Sequence, residues 1–342
     1  MKNLVVFGTD SHPKLTEAIC EHLCLEVGRA QIGKFSNGET SVKVKQSVRG
    51  CDVYIISPAS GQVNDHLMEL LVMISACKTA SAIKVTAVLP VFPYSRQPDQ
   101  IFSSRGAPLL GASAEGTIEP KRTSPYQSWI AQSGTLVADL LMCAGADHII
   151  TMDLHDPQFQ GFFDIPVDNL FGRPLLKHYI ALNIPDYQNG VCISPDAGGA
   201  KRATAIADSL GLDFALIHKN RRHESGSSLM LVGDVQDKIA ILIDDLIDTA
   251  STLVSAAEFV KKHGASQVYA LVTHCVLSGD AIERVKQSCI DKLIVTNTAP
   301  QTIEPSDCFD IIDVSPTFAE AIRRIHNGES ISILYDQNNV WF

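Results

Sequence analysis

Short apolar runs rich in Val and Ile alternate with amphipathic stretches along nearly the whole chain. Residues 4–7, 52–57, 84–91 and 148–152 form such runs in the first half, and 191–194, 214–218, 239–243, 267–273, 292–296 and 309–314 in the second. A run that is apolar at almost every position predicts a strand buried on both faces, as in a parallel sheet. Residues 13–23, 65–80, 201–210 and 249–263 carry helical spacing, with Pro13 in a first turn and Gly264 beyond a last one. Strands alternating with helices predict an α/β fold with two doubly wound sheets. The division is expected at 149/150, giving units 1–149 and 150–342. A final helix over 316–326 opens the segment 316–342, which can pack back on the first unit.

One segment breaks the pattern. Residues 97–128 have no usable period and are dominated by Pro, Gly, Ser and Ala, as in Ser103-Ser104-Arg105-Gly106-Ala107-Pro108. A loop of this length inside a compact unit is either functional or disordered, so a mobile insertion is expected here.

Composition narrows the function. The 342 residues are 45% hydrophobic and 19% charged, as in a globular chain long enough for two cores. The net charge of −10 leaves no cationic excess for a nucleic-acid backbone. No stretch reaches the length of a membrane span, and the apolar start is too short for a signal peptide. The nine cysteines are scattered without a CxxC pair, which suits a reducing, cytoplasmic setting. Cys20 and Cys24 read as small apolar residues on one helix face rather than as metal ligands with His22.

The strongest chemical signal follows the run 239–243. Asp244 and Asp245 are followed by Asp248, Thr249, Ala250, Ser251 and Thr252 where a helix begins. A helix start offers unpaired N–H groups and a positive dipole end to a phosphate. The hydroxyls add donors, and the paired carboxylates can accept from vicinal sugar hydroxyls. The competing reading is that Asp245 or Asp248 only caps the helix. A second cluster, Asp153 and His155 with Asp164 and Asp168 behind them, leaves the end of run 148–152. Asp196 similarly follows run 191–194, with Gly198 and Gly199 permitting close backbone approach. Oxygen ligands with one imidazole suit Mg²⁺ that also touches substrate phosphates. Lys219 and Arg221 follow another strand and can face a transferring phosphoryl group. Phe35-Ser36-Asn37-Gly38-Glu39-Thr40 reads as a hairpin turn.

Together these segments resemble the ribose-phosphate pyrophosphokinase family. The likeness is carried by FSNGET at 35–40, NDHLMELL at 64–71, MDLHDPQFQGFFDIPVDNL at 152–170 and SPDAGGAKR at 194–202. FALIHK at 214–219, DDLIDT at 244–249 and AEAIRRIHNGES at 319–330 extend it almost end to end. The resemblance implies two tandem phosphoribosyltransferase-like domains and transfer of the pyrophosphoryl group of ATP to the C1 hydroxyl of ribose 5-phosphate. It implies that residues 244–252 hold ribose 5-phosphate, and that Phe35, Asn37, Glu39, Arg96, Gln97 and His155 contact ATP, partly across a subunit interface. Lys219, Arg221 and Arg96 match catalytic cations, while Asp153, His155, Asp164, Asp168 and Asp196 lie near Mg²⁺. A regulatory phosphate site maps onto Ser47, Arg49, Ser81, Ser330 and Ser332. Homologous subunits, as dimers or hexamers, are the implied partners.

The departures from the family pattern lie mostly in the first half. After Arg96-Gln97 the family continues with Asp and lysines before Ser-Arg-Ala-Pro, whereas here Pro98-Asp99-Gln100 follows and no lysine comes before Lys121. An insertion of roughly 25 residues follows from that comparison, in the range where loops are special or disordered. Ser251 stands where Gly is usual, and Asp139 where Asn is common. An active synthetase subunit is the main expectation. A catalytically weak or silent subunit that regulates or scaffolds its relatives is the alternative.

Overall fold

A computed structural model describes residues 3–95, 133–220 and 228–335. In chain order the first sheet and its cover comprise β1 (Leu4–Gly8), α1 (Pro13–His22), β2 (Ala30–Lys34), β3 (Thr40–Val44), β4 (Asp52–Ile56), α2 (Val63–Thr79), β5 (Lys84–Leu89), α3 (Ser133–Ala144), β6 (His148–Met152) and β7 (Val167–Leu170). Then come α4 (Arg173–Asn183), β8 (Gly190–Ser194), α5 (Ala200–Leu210), β9 (Asp213–Asn220), β10 (Ser228–Val232), β11 (Ile239–Ile247) and α6 (Ser251–Lys262). The chain continues with β12 (Gln267–Cys275), α7 (Ala281–Lys286), β13 (Lys292–Thr296), β14 (Phe309–Ile312) and α8 (Ser315–Asn327).

Two parallel sheets result, as the buried runs predict. The first has the order β1-β4-β5-β6-β7, and the second β10-β9-β8-β11-β12-β13-β14 with β10 antiparallel at its edge. β2 and β3 form the expected separate hairpin. The first sheet runs past residue 149. β6 pairs with β5 at Thr86↔His148, and β7 extends the same sheet, so the first sheet ends at Leu170.

The sheets are wound differently. Order in the second reverses between β8 and β11, as doubly wound folds require. Order in the first only advances, which corrects the expectation for that sheet. From β4 onward, right-handed crossovers that keep advancing put their helices on one face. Here α2, α3 and the hairpin pack on that face. The opposite face is closed by α1 with α8, which returns from the far end of the chain. Phe318 of α8 is fully buried beside Leu15 and Ile19, a burial that contributes about 2–3 kcal/mol. His326 then donates through Nδ1 to Asp52 at 2.9 Å.

The sheets also meet through polar contacts at the C-terminal ends of β6 and β12. His274 donates from Nε2 to the Met152 carbonyl at 2.9 Å and meets the Thr298 hydroxyl at Nδ1 at 3.0 Å. Burial lowers its pKa, so it packs as neutral imidazole. Cys20 is buried on α1, but Cys24 lies exposed beyond the helix end at positive φ, so the two do not share a helix face. All nine cysteines are free. Among the described residues no helix is long and apolar enough to cross a membrane.

Candidate active site

The reversal between β8 and β11 creates a crevice beyond their C-terminal ends, the general place for ligands in open α/β sheets. A cavity of about 350 Å³ lies there, lined by Asp196 from the loop after β8 and by 244–253. The strand is longer than its apolar run. β11 continues to Ile247, with Asp244 opposite Val272 and Leu246 opposite His274 on β12. Asp244 and Asp245 therefore sit in a strand, held by ladder bonds, and not in a loose turn.

The start of α6 is not capped by an acid. Its N-cap is Ala250 at φ 61°, with no side-chain cap bond, so neither Asp245 nor Asp248 serves as the cap. A left-handed residue without glycine is uncommon and marks a constrained turn. The turn is braced by Arg284 of α7, which donates to the Thr249 carbonyl at 2.7 Å. Thr249, Ser251 and Thr252 are exposed, and the Thr249 and Ser251 hydroxyls lie 3.1 Å apart. Hydroxyls and the free N–H groups of the first turn thus face one cavity, which suits a phosphate.

The same cavity joins the two sheets. His155, three residues beyond β6, donates through Nδ1 to Asp245 Oδ2 at 2.6 Å, and Arg202 of α5 approaches Asp245 Oδ1 at 3.4 Å. Burial alone would raise the Asp245 carboxyl, but the His155 hydrogen bond and the Arg202 charge outweigh it and hold it below the usual carboxylate range. The bond to Asp245 in turn raises His155 against the opposing effect of burial. Asp244 goes the other way. Burial, then the neighbouring Asp245 charge, push its carboxyl up, and it accepts the Asp245 N–H at 2.9 Å. Asp245 is thus charged and held by His155 and Arg202, while Asp244 readily holds a proton.

The five expected metal residues are not gathered. Asp153 is buried at φ 40°, and its Oδ2 already accepts from the Thr273 hydroxyl at 2.7 Å and the Gly172 N–H at 3.1 Å. A Cβ on Gly172 would lie 2.8 Å from that oxygen, so the contact needs glycine. Asp168 accepts from His148 Nε2 at 2.7 Å near the start of β6 and β7, the far end from the cavity. Asp164 lies exposed past the 3₁₀ helix Pro157–Phe162, its N–H on Met142 Sδ. Only His155 and Asp196 line the cavity. Among the described residues no three carboxylate, imidazole or thiolate groups converge on one point.

The remaining candidates lie apart. At the hairpin tip the Phe35 N–H donates to the Glu39 carbonyl at 2.8 Å, and the Glu39 N–H to Asn37 Oδ1 at 3.2 Å. Phe35 is 58% exposed, and Lys34 ties the stem to Asp65 of α2 at 2.7 Å. None of Phe35, Asn37 and Glu39 lines the cavity. Lys219 does not follow its strand as expected but belongs to β9, opposite Leu229 of β10. Arg96, Gln97, Arg221 and segment 97–128 lie outside the described residues. In the expected regulatory set, Gly50 next to Arg49 donates its N–H to the Ser81 carbonyl at 3.0 Å. Ser330 and Ser332 share a 2.9 Å hydroxyl contact past α8. Ser47 belongs to the same turn region as Arg49, and no hydrogen bond joins the two groups among the described residues. Sequence reasoning passed over Arg202, Arg284 and His274 as site-shaping residues. Arg202 stood within a quoted motif, but its partner is 43 positions away (245 minus 202).

Comparison with known proteins agrees with this arrangement. Residues 4–109 match the family model described as the N-terminal domain of ribose phosphate pyrophosphokinase, and 225–336 match the phosphoribosyl synthetase-associated domain. The chain is 84% identical over 341 residues to ribose-phosphate pyrophosphokinase 5 of Schizosaccharomyces pombe, covering 100% of both. It is also similar to the crystal structure of phosphoribosylpyrophosphate synthetase from Mycobacterium smegmatis, with 37% identity, a TM-score of 0.83, and coverage of 96% of this chain and 100% of that one. The matched models, the full-length identity and the shared two-sheet architecture lead to one conclusion: this chain belongs to the ribose-phosphate pyrophosphokinase family.

Proposed function

We propose that the chain transfers the pyrophosphoryl group of ATP to the C1 hydroxyl of ribose 5-phosphate, releasing AMP. The observation that carries this reading is the cavity at the reversal point, where a phosphate-binding helix start adjoins two strand-end carboxylates. The 5-phosphate would sit on the first turn of α6 with Thr249, Ser251 and Thr252 as donors. Asp244 is the acceptor for a ribose hydroxyl, because Asp245 is occupied by His155 and Arg202. Asp245 orients His155, leaving imidazole Nε2 turned to the reacting group. Mg²⁺ supplies charge neutralisation at the phosphates when bound. It usually takes one or two protein ligands besides substrate oxygens, so His155 and Asp196 suffice, and Asp153, Asp164 and Asp168 are not needed. Lys219, Arg221 and Arg96 are the cations assigned to the transferring group. Phe35, Asn37 and Glu39 would serve the adenine of a neighbouring subunit, since they lie off this chain's own cavity. Nine free thiols suit a cytoplasmic enzyme.

The altered residues after Gln97 favour a second reading, a weakly active subunit that assembles with competent relatives. Purified alone, the chain is expected to release AMP from ATP plus ribose 5-phosphate. If release occurs only after a relative with the usual lysines is added, the second reading holds. In that mixture Phe35→Ala here would depress turnover far more than Lys219→Ala. No AMP in either case, together with no ribose 5-phosphate binding, would overturn both.

A further inference from the structure

The backbone turns sharply just after β6. Asp153 stands there at φ 40°, a left-handed conformation that a residue with a Cβ keeps only where its surroundings hold it. Its N–H donates to the Leu170 carbonyl at 2.9 Å, and its carboxylate accepts from Thr273 and Gly172. Its carbonyl accepts from His274 Nε2 at 3.2 Å, and the same imidazole N–H takes the Met152 carbonyl at 2.9 Å. One residue further, the Leu154 N–H donates to Asn169 Oδ1 at 3.1 Å, and His155 then crosses to Asp245. The His155 side chain is 50% exposed, so its direction depends on the turn behind it more than on its own packing. Two of the holds on that turn come from consecutive residues of β12, Thr273 and His274. β12 is also the neighbour of the strand that carries Asp245, with Leu246 of β11 opposite His274. One imidazole therefore joins the backbone behind His155 to the strand beside Asp245. Its own orientation is fixed. Carbonyls only accept, so Nε2 carries the proton and Nδ1 accepts from the Thr298 hydroxyl at 3.0 Å. Thr298 is fully buried, and its backbone N–H rests on Thr296 Oγ1 at 3.3 Å. An apolar side chain would fill this seam without the cost of burying a polar ring. A ring paired at both nitrogens adds direction instead, because hydrogen bonds weaken steeply off their preferred angle.

We infer that His274 is a positioning residue for pyrophosphoryl transfer, holding the turn at Met152 and Asp153 so that His155 meets Asp245. Asp245 supplies the contact, and His274 supplies the place from which His155 makes it. Without the imidazole donor, the Met152 and Asp153 carbonyls lose their link to β12. The Thr273 hydroxyl still ties the Asp153 carboxylate to that strand, but it leaves the carbonyls free to rotate. His155 then spends part of its time away from its 2.6 Å bond to Asp245. The kinetic consequence rests on the proposed transfer reaction, whereas the placement of His155 on Asp245 does not.

The test compares the full chain in wild type, His274→Leu, His274→Gln and Thr298→Val, by kinetics, calorimetry and proton NMR. His274→Leu should lower kcat for AMP release about 10- to 100-fold, the scale of a misplaced catalytic group. Ribose 5-phosphate affinity should stay within about twofold, because the α6 turn and Asp244 are untouched. His274→Gln keeps an amide donor for the same carbonyls and should restore most of the lost kcat. Thr298→Val frees only the far side of the ring, so it should cost less, and it carries the test if His274→Leu does not fold. The His155 Nδ1 proton, held in its short bond to Asp245, should give a low-field signal, identified by its loss in His155→Gln. That signal should fade in His274→Leu and persist in His274→Gln. An unchanged signal and kcat in His274→Leu, or in Thr298→Val where the former is unfolded, would overturn the inference. So would ribose 5-phosphate affinity falling in step with kcat, which marks a general loosening of the seam. A wild type that releases no AMP, yet loses the signal in His274→Leu, would support the positioning and count against the transfer reaction alone.

Discussion

The two ends of β6 carry the same chemistry put to different uses. At its start, His148 donates from Nε2 to Asp168 and accepts from Lys84 Nζ at 3.1 Å through Nδ1. Beyond its end, His155 donates from Nδ1 to Asp245. The first pair is local to one sheet, and its imidazole is held at both nitrogens, by Lys84 and Asp168. The second spans both sheets, and its histidine side chain is 50% exposed at a cavity. A His–Asp pair is therefore not by itself a functional sign. What separates the two is the end of the strand, because helix starts and open N–H groups collect at the C-terminal ends of a parallel sheet. The same comparison explains why the expected metal set falls apart. Asp168 belongs to the structural end, and Asp153 to the seam between the sheets.

The comparison can be broken most directly at Asp153. Asp153→Ala strands the Thr273 hydroxyl and Gly172 N–H in the seam, so stability should fall by about 2–4 kcal/mol. The dependence of activity on Mg²⁺ concentration should stay as in wild type. Denaturant unfolding and a Mg²⁺ titration measure the two, and a shifted Mg²⁺ requirement at normal stability would restore Asp153 as a ligand. Next in size, Asp245→Asn removes the charge that holds His155 and Arg202. Ribose 5-phosphate binding should weaken by about 1.5–3 kcal/mol in calorimetry, the scale of a hydrogen bond to a charged group. Asp168→Asn makes the matching change at the other end. It should cost about 1–2 kcal/mol of stability and leave ribose 5-phosphate affinity unaltered. Equal damage to binding from Asp168→Asn and Asp245→Asn would erase the distinction between the ends.

The smallest effect concerns α8, which seals the first sheet. Hydrogen bonds from Arg323 first, opposed by burial and aided by Arg324, hold the Glu320 carboxyl below its ordinary value. A carboxyl with a lowered folded pKa stabilises above the unfolded value, near pH 4.3, and loses that contribution as pH falls through the folded one. Glu320→Gln should cost under about 1 kcal/mol at neutral pH, given its partial exposure. The difference from wild type should vanish on acidification below the lowered value. Melting curves at several pH values follow it, and a gap that persists in acid would mean the loss is one of packing.

Much of this protein is written in local sequence. The buried Val and Ile runs produce both sheets, FSNGET produces the hairpin, and the stretch Asp244–Thr252 produces a strand followed by a helix start. Each depends on side-chain period or turn chemistry within a few residues, which adjacent positions determine by themselves. Other features needed the assembled fold. β10 escaped notice because an edge strand buries few side chains, and Met230 and Val232 are 54% exposed on it. The union of α8 with α1 escaped because an amphipathic stripe states that a face is apolar, but not which surface it meets. Asp244 and Asp245 are adjacent and chemically identical in the sequence. Only the tertiary structure sends His155, 90 residues upstream, to one of them and leaves the other half-buried beside that charge. Ionisation and ligand capacity follow from distance and burial, and these are set by how strands far apart in the chain come to lie side by side.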